Sequence, residues 1–245
     1  MGSAERLERA AKIVAGGLDE KGAGEILGLM GVTGFPLETL SELRLYSEFL
    51  PAVDDYGYTQ SQRFLHFLWD ALDKSPVCLN AGFSIPLRRI IAKALFRKCG
   101  KNFIAEENVR FNYGQGIEVG DDVFFNRGVY LDSKGGITIG NSSGLAENVH
   151  IFTHSHSESD HRQRSYKKVA IGNYVVVYTA SIILPGVLIG DEAIVGAGST
   201  VTRDVGTSMM VGGRPAQPLR KRRSEDRHGR DLCHLWLKDG VFQDE

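Results

Sequence analysis

The chain has 245 residues, 29 of them glycine, and its 29 Lys plus Arg nearly balance 30 Asp plus Glu, for a formal net charge of −1. A chain of this length buries roughly 70–75% of its unfolded surface, so the core needs neither disulfides nor a structural metal. Three unpatterned cysteines (Cys78, Cys99, Cys233) argue against a disulfide framework and for a reducing, cytoplasmic setting. No apolar run approaches the about 20 residues of a membrane span, no signal-peptide stretch opens the sequence, and the charge balance excludes a globally basic nucleic-acid binder.

Residues 1–100 hold 15 Leu and 4 Val, whereas 114–213 hold 4 Leu and 13 Val, so a helical region gives way to short strands near residue 100. This divides the chain into a helical domain, 1–100, a strand domain, 101–213, and a basic tail with a short helix, 214–245. Shorter helices are expected around 4–16 and 20–30. Pro36 suits a first helical turn, and Leu37, Leu40, Leu43 and Leu45 continue at near-helical spacing up to Pro51. From Thr59 to Lys74 a broad apolar face includes Phe64, Leu65, Leu68 and Trp69, with His66 packed inside it. Ser84 is placed as the cap of a last helix ending at Lys98 and Gly100.

From residue 117 the apolar residues return every six positions: Ile171, Val177, Ile183, Ile189, Val195 and Val201 follow without a gap. Val119, Phe125 and Leu131, then Ile139, Leu145 and Ile151, carry the pattern upstream. A second series two residues earlier (Val169, Val175, Ser181, Val187, Ala193, Ser199) is also small or apolar. Period six is neither the two of a strand nor the 3.6 of a helix, and it demands a turn after each short strand. Three units close a triangular coil of 18 residues, and stacked coils make a solenoid of three parallel sheets. Coils are expected at 117–134, 137–154, 169–186 and 187–204. Gly120, Gly140, Gly172, Gly190 and Gly196 follow inward residues at tight corners. The step from Leu131 to Ile139 is eight, inserting two residues, and that from Ile151 to Ile171 is twenty, inserting fourteen. So thin a core is expected to be covered on its outer faces by other subunits.

The pattern resembles the hexapeptide-repeat acyltransferases, and most closely the maltose/galactoside O-acetyltransferase group. The residues that carry this are Phe111-Asn-Tyr-Gly114, Ile117 to Asn126, Leu131-Asp132, Asn148 to His156, Ile171 to Val175, Ile183 to Gly190, Val195 to Val205 and Val211 to Ala216. The resemblance covers about residues 100–223 and implies a left-handed parallel β-helix, a homotrimer, and acetyl transfer from acetyl-CoA to a hydroxyl. The family's catalytic histidine, ending an Ile-x-Thr-x-x-His segment before a loop, matches His156, at the start of the fourteen-residue insertion. An imidazole with its ordinary pKa near 6.5 suits removal of a hydroxyl proton at neutral pH. Asn126 matches the family's asparagine near the acceptor, and Asp132, His154 and Glu147 are candidates to orient the imidazole or the acceptor.

For acetyl-CoA the resemblance implies Thr179, Ala180, Ala197 and Gly198 along the pantetheine arm and Arg203 and Arg220 near the nucleotide. Residues 214–230 support this with seven basic against two acidic residues, a natural match for phosphates. Val176, Val177 and Tyr178 stand where the family often has Trp-Ile-Gly, and Gln217 where it has an arginine. The acceptor is expected to be a sugar, a glycosylated metabolite or a polysaccharide unit; no metal and no nucleic-acid partner is expected. No Cys or Ser is marked as a nucleophile, so direct transfer is expected. Three other readings stay open: an N-acetyltransferase on an aminosugar or antibiotic, a non-catalytic β-helix scaffold, and a zinc protein of the γ-carbonic anhydrase type using His150, His154, His156 and His161. The C-terminal stretch Leu232–Phe242 is apolar enough to pack back on the helices or on a neighbour.

Overall fold

The structure, a computed structural model, describes residues 1–49, 57–232 and 242–244. Helices α1 (Ser3–Ala15) and α2 (Glu20–Leu29) lead, the latter capped by the Asp19 carboxylate accepting from the Gly22 N–H. α4 (Gln60–Leu72) starts at a capping box in which the Thr59 and Gln62 side chains each accept from the other's backbone N–H. The long helix expected after Pro36 is instead a single turn, α3 (Glu38–Ser41), then a 3-10 turn at Tyr46–Phe49. Thr39 and Ser41 hydroxyls donate to the carbonyls of Pro36 and Glu38, local bonds that compete with a helical ladder. Ser84 is not a cap. α5 (Ala81–Leu95) begins behind Asn80 and buries Ser84 inside it, and it ends before Lys98, which opens the first strand.

The first coil is β1 (Lys98–Cys99), β2 (Ile104–Ala105) and β3 (Arg110–Phe111), and the second is β4 (Ile117–Val119), β5 (Phe124–Phe125) and β6 (Tyr130–Asp132). The third is β7 (Ile137–Ile139), β8 (Gly144–Leu145) and β9 (His150–Phe152), followed by an excursion, β10 (His154–His156) and β11 (Arg164–Tyr166). The fourth is β12 (Val169–Ile171), β13 (Val176–Val177) and β14 (Ile182–Ile183), the fifth β15 (Leu188–Ile189), β16 (Ile194–Val195) and β17 (Thr200–Val201). A partial turn, β18 (Met209–Gly213), then reverses into antiparallel β19 (Ala216–Lys221).

Three parallel sheets result: β1-β4-β7-β12-β15, β2-β5-β8-β13-β16-β18 and β3-β6-β9-β14-β17. Val119, Ile139, Ile171 and Ile189 are in direct register, and all are at most 3% exposed. The excursion leaves that register intact, because β12 pairs directly with β7. The solenoid thus has one coil more than the four expected, upstream of them. Its inward positions are Cys99, Ala105 and Phe111, so the aliphatic signature is missing there although the spacing holds.

The corner glycines answer to close approach rather than to a left-handed backbone. A Cβ on Gly172 would lie 2.7 Å from the backbone nitrogen of Asp191, and one on Gly120 2.9 Å from that of Asn141. The next residue on each coil completes a side-chain ladder: the N–H groups of Lys101, Asp121, Asn141 and Asn173 donate to the side chains of Asp121, Asn141, Asn173 and Asp191, at 2.7–2.8 Å. The repeated Gly-Asn or Gly-Asp pair therefore satisfies corner N–H groups that no strand can reach.

The helical region closes one end of the apolar column. Trp69 packs on Phe96 and Phe111, and its indole N–H donates to the Val109 carbonyl at 2.7 Å. His66 is buried there; its Nε2 accepts from the Gly114 N–H at 3.1 Å, and burial pushes its pKa down to about 4. The outer face of the second sheet is partly covered by the chain itself. Ile104 and Phe124 pack with Ile85 of α5 and with Phe242, while Asp244 pairs with Arg89 at 2.7 Å and Lys93 at 2.8 Å. Most of the apolar C-terminal stretch, residues 233–241, lies outside the described residues; Phe242 does pack on α5.

Candidate active site

Period six breaks between β9 and β12, and there the chain leaves the prism. β10 and β11 form an antiparallel hairpin, with His154 opposite Tyr166, Ser155 opposite Ser165, and His156 opposite Arg164. Behind it, Asp132 ends β6 with a fully buried side chain. Its carboxylate accepts from Asn112 Nδ2 at 3.0 Å, from Lys134 Nζ at 3.1 Å, and from His154 Nδ1. A carboxylate only accepts, so Nδ1 of His154 carries the hydrogen and Nε2 keeps its lone pair. Burial lowers the pKa of His154 and outweighs the opposing pull of Asp132.

His156 is exposed on the hairpin. Its Nδ1 meets the carbonyl of His161 at 2.7 Å, and a carbonyl also only accepts. In the neutral ring Nε2 of His156 therefore carries the lone pair, and it faces no bonded partner among the described residues. The His154 and His156 rings lie edge to face with centroids 5.1 Å apart.

A second set of residues lines the edge between the second and third sheets. Asn126, Glu147, Thr179, Ala180, Ala197 and Gly198 follow β5, β8, β13 and β16 and stack coil upon coil. Thr179 donates to the Glu147 carboxylate at 3.0 Å, and bonds to its own amide and to Thr179 hold the Glu147 pKa below the usual range. The Gly198 N–H donates to the Thr179 carbonyl at 2.8 Å. Thr179, Ala180 and Ala197 are small and exposed, so this edge is an open cradle.

Within one chain the structure gathers Asp132, His154 and His156 on the edge between the third and first sheets, and Asn126, Glu147 and the Thr179–Gly198 series on the next edge. Arg203, two residues past β17, is exposed on the histidine edge. Arg220 lies exposed on β19, opposite Met210. Three further residues belong beside these. Asn112 and Lys134 are ligands of Asp132, and Arg214 reaches the cradle, its Nε donating to the Gly198 carbonyl at 2.5 Å. Lys134 had a signal in the two-residue insertion that follows Leu131; Asn112 lies within the Phe111-Asn-Tyr-Gly114 segment, but its coil lacks the aliphatic period that would have placed it. Among the described residues no group of three or more His, Cys, Asp or Glu side chains is placed to share a metal ion.

No protein-family model matches the chain. The galactoside O-acetyltransferase of Escherichia coli (strain K12) is 30% identical over 145 residues, 58% of this chain and 71% of that protein. The chain belongs to the hexapeptide-repeat acetyltransferases, in the galactoside/maltose O-acetyltransferase group. A solved maltose O-acetyltransferase from Clostridium difficile 630 is 34% identical to this acetyltransferase, with a TM-score of 0.54 over 56% of this chain and 75% of its own. A hexapeptide-repeat acetyltransferase from Vibrio cholerae O1 biovar eltor, solved with acetyl coenzyme A, is 27% identical with a TM-score of 0.54, covering 62% of this chain and 86% of its own.

Proposed function

We propose that this acetyltransferase is cytoplasmic and moves an acetyl group from acetyl-CoA directly to a hydroxyl of a sugar, a glycosylated metabolite or a polysaccharide unit, with His156 as general base. One observation carries this: the His156 imidazole is pinned through Nδ1 to a carbonyl of its own hairpin, which leaves Nε2 as the basic nitrogen. Nε2 takes the hydroxyl proton as the acceptor oxygen attacks the thioester carbonyl. A tetrahedral oxyanion forms, and the imidazolium returns the proton to the departing thiolate of CoA. Asn126 is the polar side chain assigned to that intermediate, and Asp132, His154 and Glu147 orient the acceptor.

Acetyl-CoA is assigned to the cradle at Thr179, Ala180, Ala197 and Gly198, with Arg203 and Arg220 meeting its phosphates. One chain carries the imidazole and this cradle on different edges, and a homotrimer whose neighbours face each other across a cleft joins them. The test is acetyl transfer, read by mass, from acetyl-CoA to a panel of sugars and amines. Sugar O-acetylation abolished in His156→Ala supports the assignment. A His156→Ala protein that transfers at the wild-type rate overturns the base, and acetylation confined to amines overturns the acceptor.

A further inference from the structure

We infer that the histidine edge includes an anion site, so that the acceptor is an anionic sugar, bearing a carboxylate or a phosphate; this rests on the reading above. A cavity of about 330 Å³ opens beside the cluster at Asp132 and is lined in part by Arg97, Glu118, Lys134 and Lys168. That volume lies at the small end of ligand pockets, roughly 300–1,000 Å³. Arg97 and Glu118 face each other at 3.5 Å and offset one another. Of the other two cations, Lys134 is paired with the buried Asp132 carboxylate at 3.1 Å, and Lys168 is left unmatched among the described residues.

Much of the corner's polar lining is already engaged, although Gln115 Oε1 and Thr138 Oγ1 are buried without a partner among the described residues. The Gly135 N–H donates to Thr153 Oγ1 at 2.7 Å, the Gly136 N–H to the Ser133 carbonyl at 3.0 Å, and the Ser133 hydroxyl to the Tyr113 carbonyl at 2.6 Å. Lys134, with a side chain only 7% exposed, gives one bond to Asp132 and keeps further N–H groups. Lys168 is exposed and forms no ion pair among the described residues. Lys134 and Lys168 thus offer charged donors to a ligand, and charge-assisted bonds from them to an anion are roughly twice as strong as neutral ones. The Lys134 ammonium also lies 3.5 Å from Nδ1 of His154, whose ring adjoins that of His156. Through Lys134 the cavity therefore adjoins the His154–His156 pair.

The experiment compares glucose, glucuronic acid and glucose 6-phosphate, both as acceptors with acetyl-CoA and by calorimetry without it. Expected is a preference of about tenfold for one or both anionic sugars over glucose, falling as salt rises. Preference for glucuronic acid alone identifies a carboxylate, and for the phosphate alone a phosphate; both outcomes support the site. Lys134→Met strips a buried carboxylate of its cation and endangers folding, so exposed Lys168 carries the decisive variant. Lys168→Met is expected to bring the anionic-to-neutral ratio down about tenfold, Lys168→Arg to retain it, and the control Lys21→Met on α2 to leave it as in wild type. Glucose bound and acetylated as well as the anionic sugars overturns the anion site while the sugar acetyltransferase stands. Anionic binding with no transfer to any sugar overturns the function and leaves the site in place.

Discussion

The two edges of the prism that carry the candidate residues are built in opposite ways. On the edge between the second and third sheets every coil contributes the same turn, so Glu147, Thr179 and Gly198 stack at the spacing of the coils and their peptide groups hold each other. On the edge between the third and first sheets the repeat is lengthened three times, by two residues after β3, by two after β6 and by fourteen after β9. The breaks bring a buried carboxylate, a buried lysine and two histidines together. A regular edge suits an extended ligand that reads backbone; an interrupted one suits placement of a few titratable side chains against rigid coils.

The sharpest way to break this contrast is chemical. His156→Ala is expected to lower kcat by about 10²–10⁴ with little change in thermal stability, since the side chain is exposed. An equal loss of stability would make the hairpin histidine structural. The regular part predicts the reverse: Ile183→Ala, in the inward column and fully buried, is expected to cost about 2–5 kcal/mol in denaturant titration while folded protein keeps its activity.

A third test reads the capped end through pH. His66 has a folded pKa of about 4 against about 6.5 unfolded, so the unfolded chain binds the extra proton between these values. Stability from this residue is complete above pH 6.5 and falls toward pH 4, by about 3 kcal/mol in all. His66→Gln is expected to flatten that part of the stability–pH curve, measured by chemical denaturation. The smallest effect is reserved for the C-terminal contact: Asp244→Asn, which weakens partly exposed ion pairs to Arg89 and Lys93, is expected to cost about 1 kcal/mol or less, and the more so at low salt.

Legibility followed the same division. The inward columns from Val119 to Val201 were readable because one side chain in each strand must be apolar at a fixed period. The first coil was not, since Cys99, Ala105 and Phe111 keep the spacing with residues of unlike size and type. The stretch after Pro36 misled because leucines at helical spacing are also what a chain uses to lie across a core in single turns. At the candidate site, spacing put His156 at the mouth of an insertion. It could not reveal that Asp132 binds His154, because that bond joins residues about one coil apart and depends on how the insertion folds back.

The sequence by itself determined a helical region, a hexapeptide-repeat solenoid, and the point at which that repeat is interrupted. These are periodic properties, and a period is visible in one dimension because each unit repeats the same burial. Only the tertiary structure decided which nitrogen of each imidazole is free, which edge carries each set of residues, and that a buried lysine, Lys134, lies beside His154. Hydrogen bonds and charge clusters are made between distant segments, so their geometry exists only once the coils are stacked.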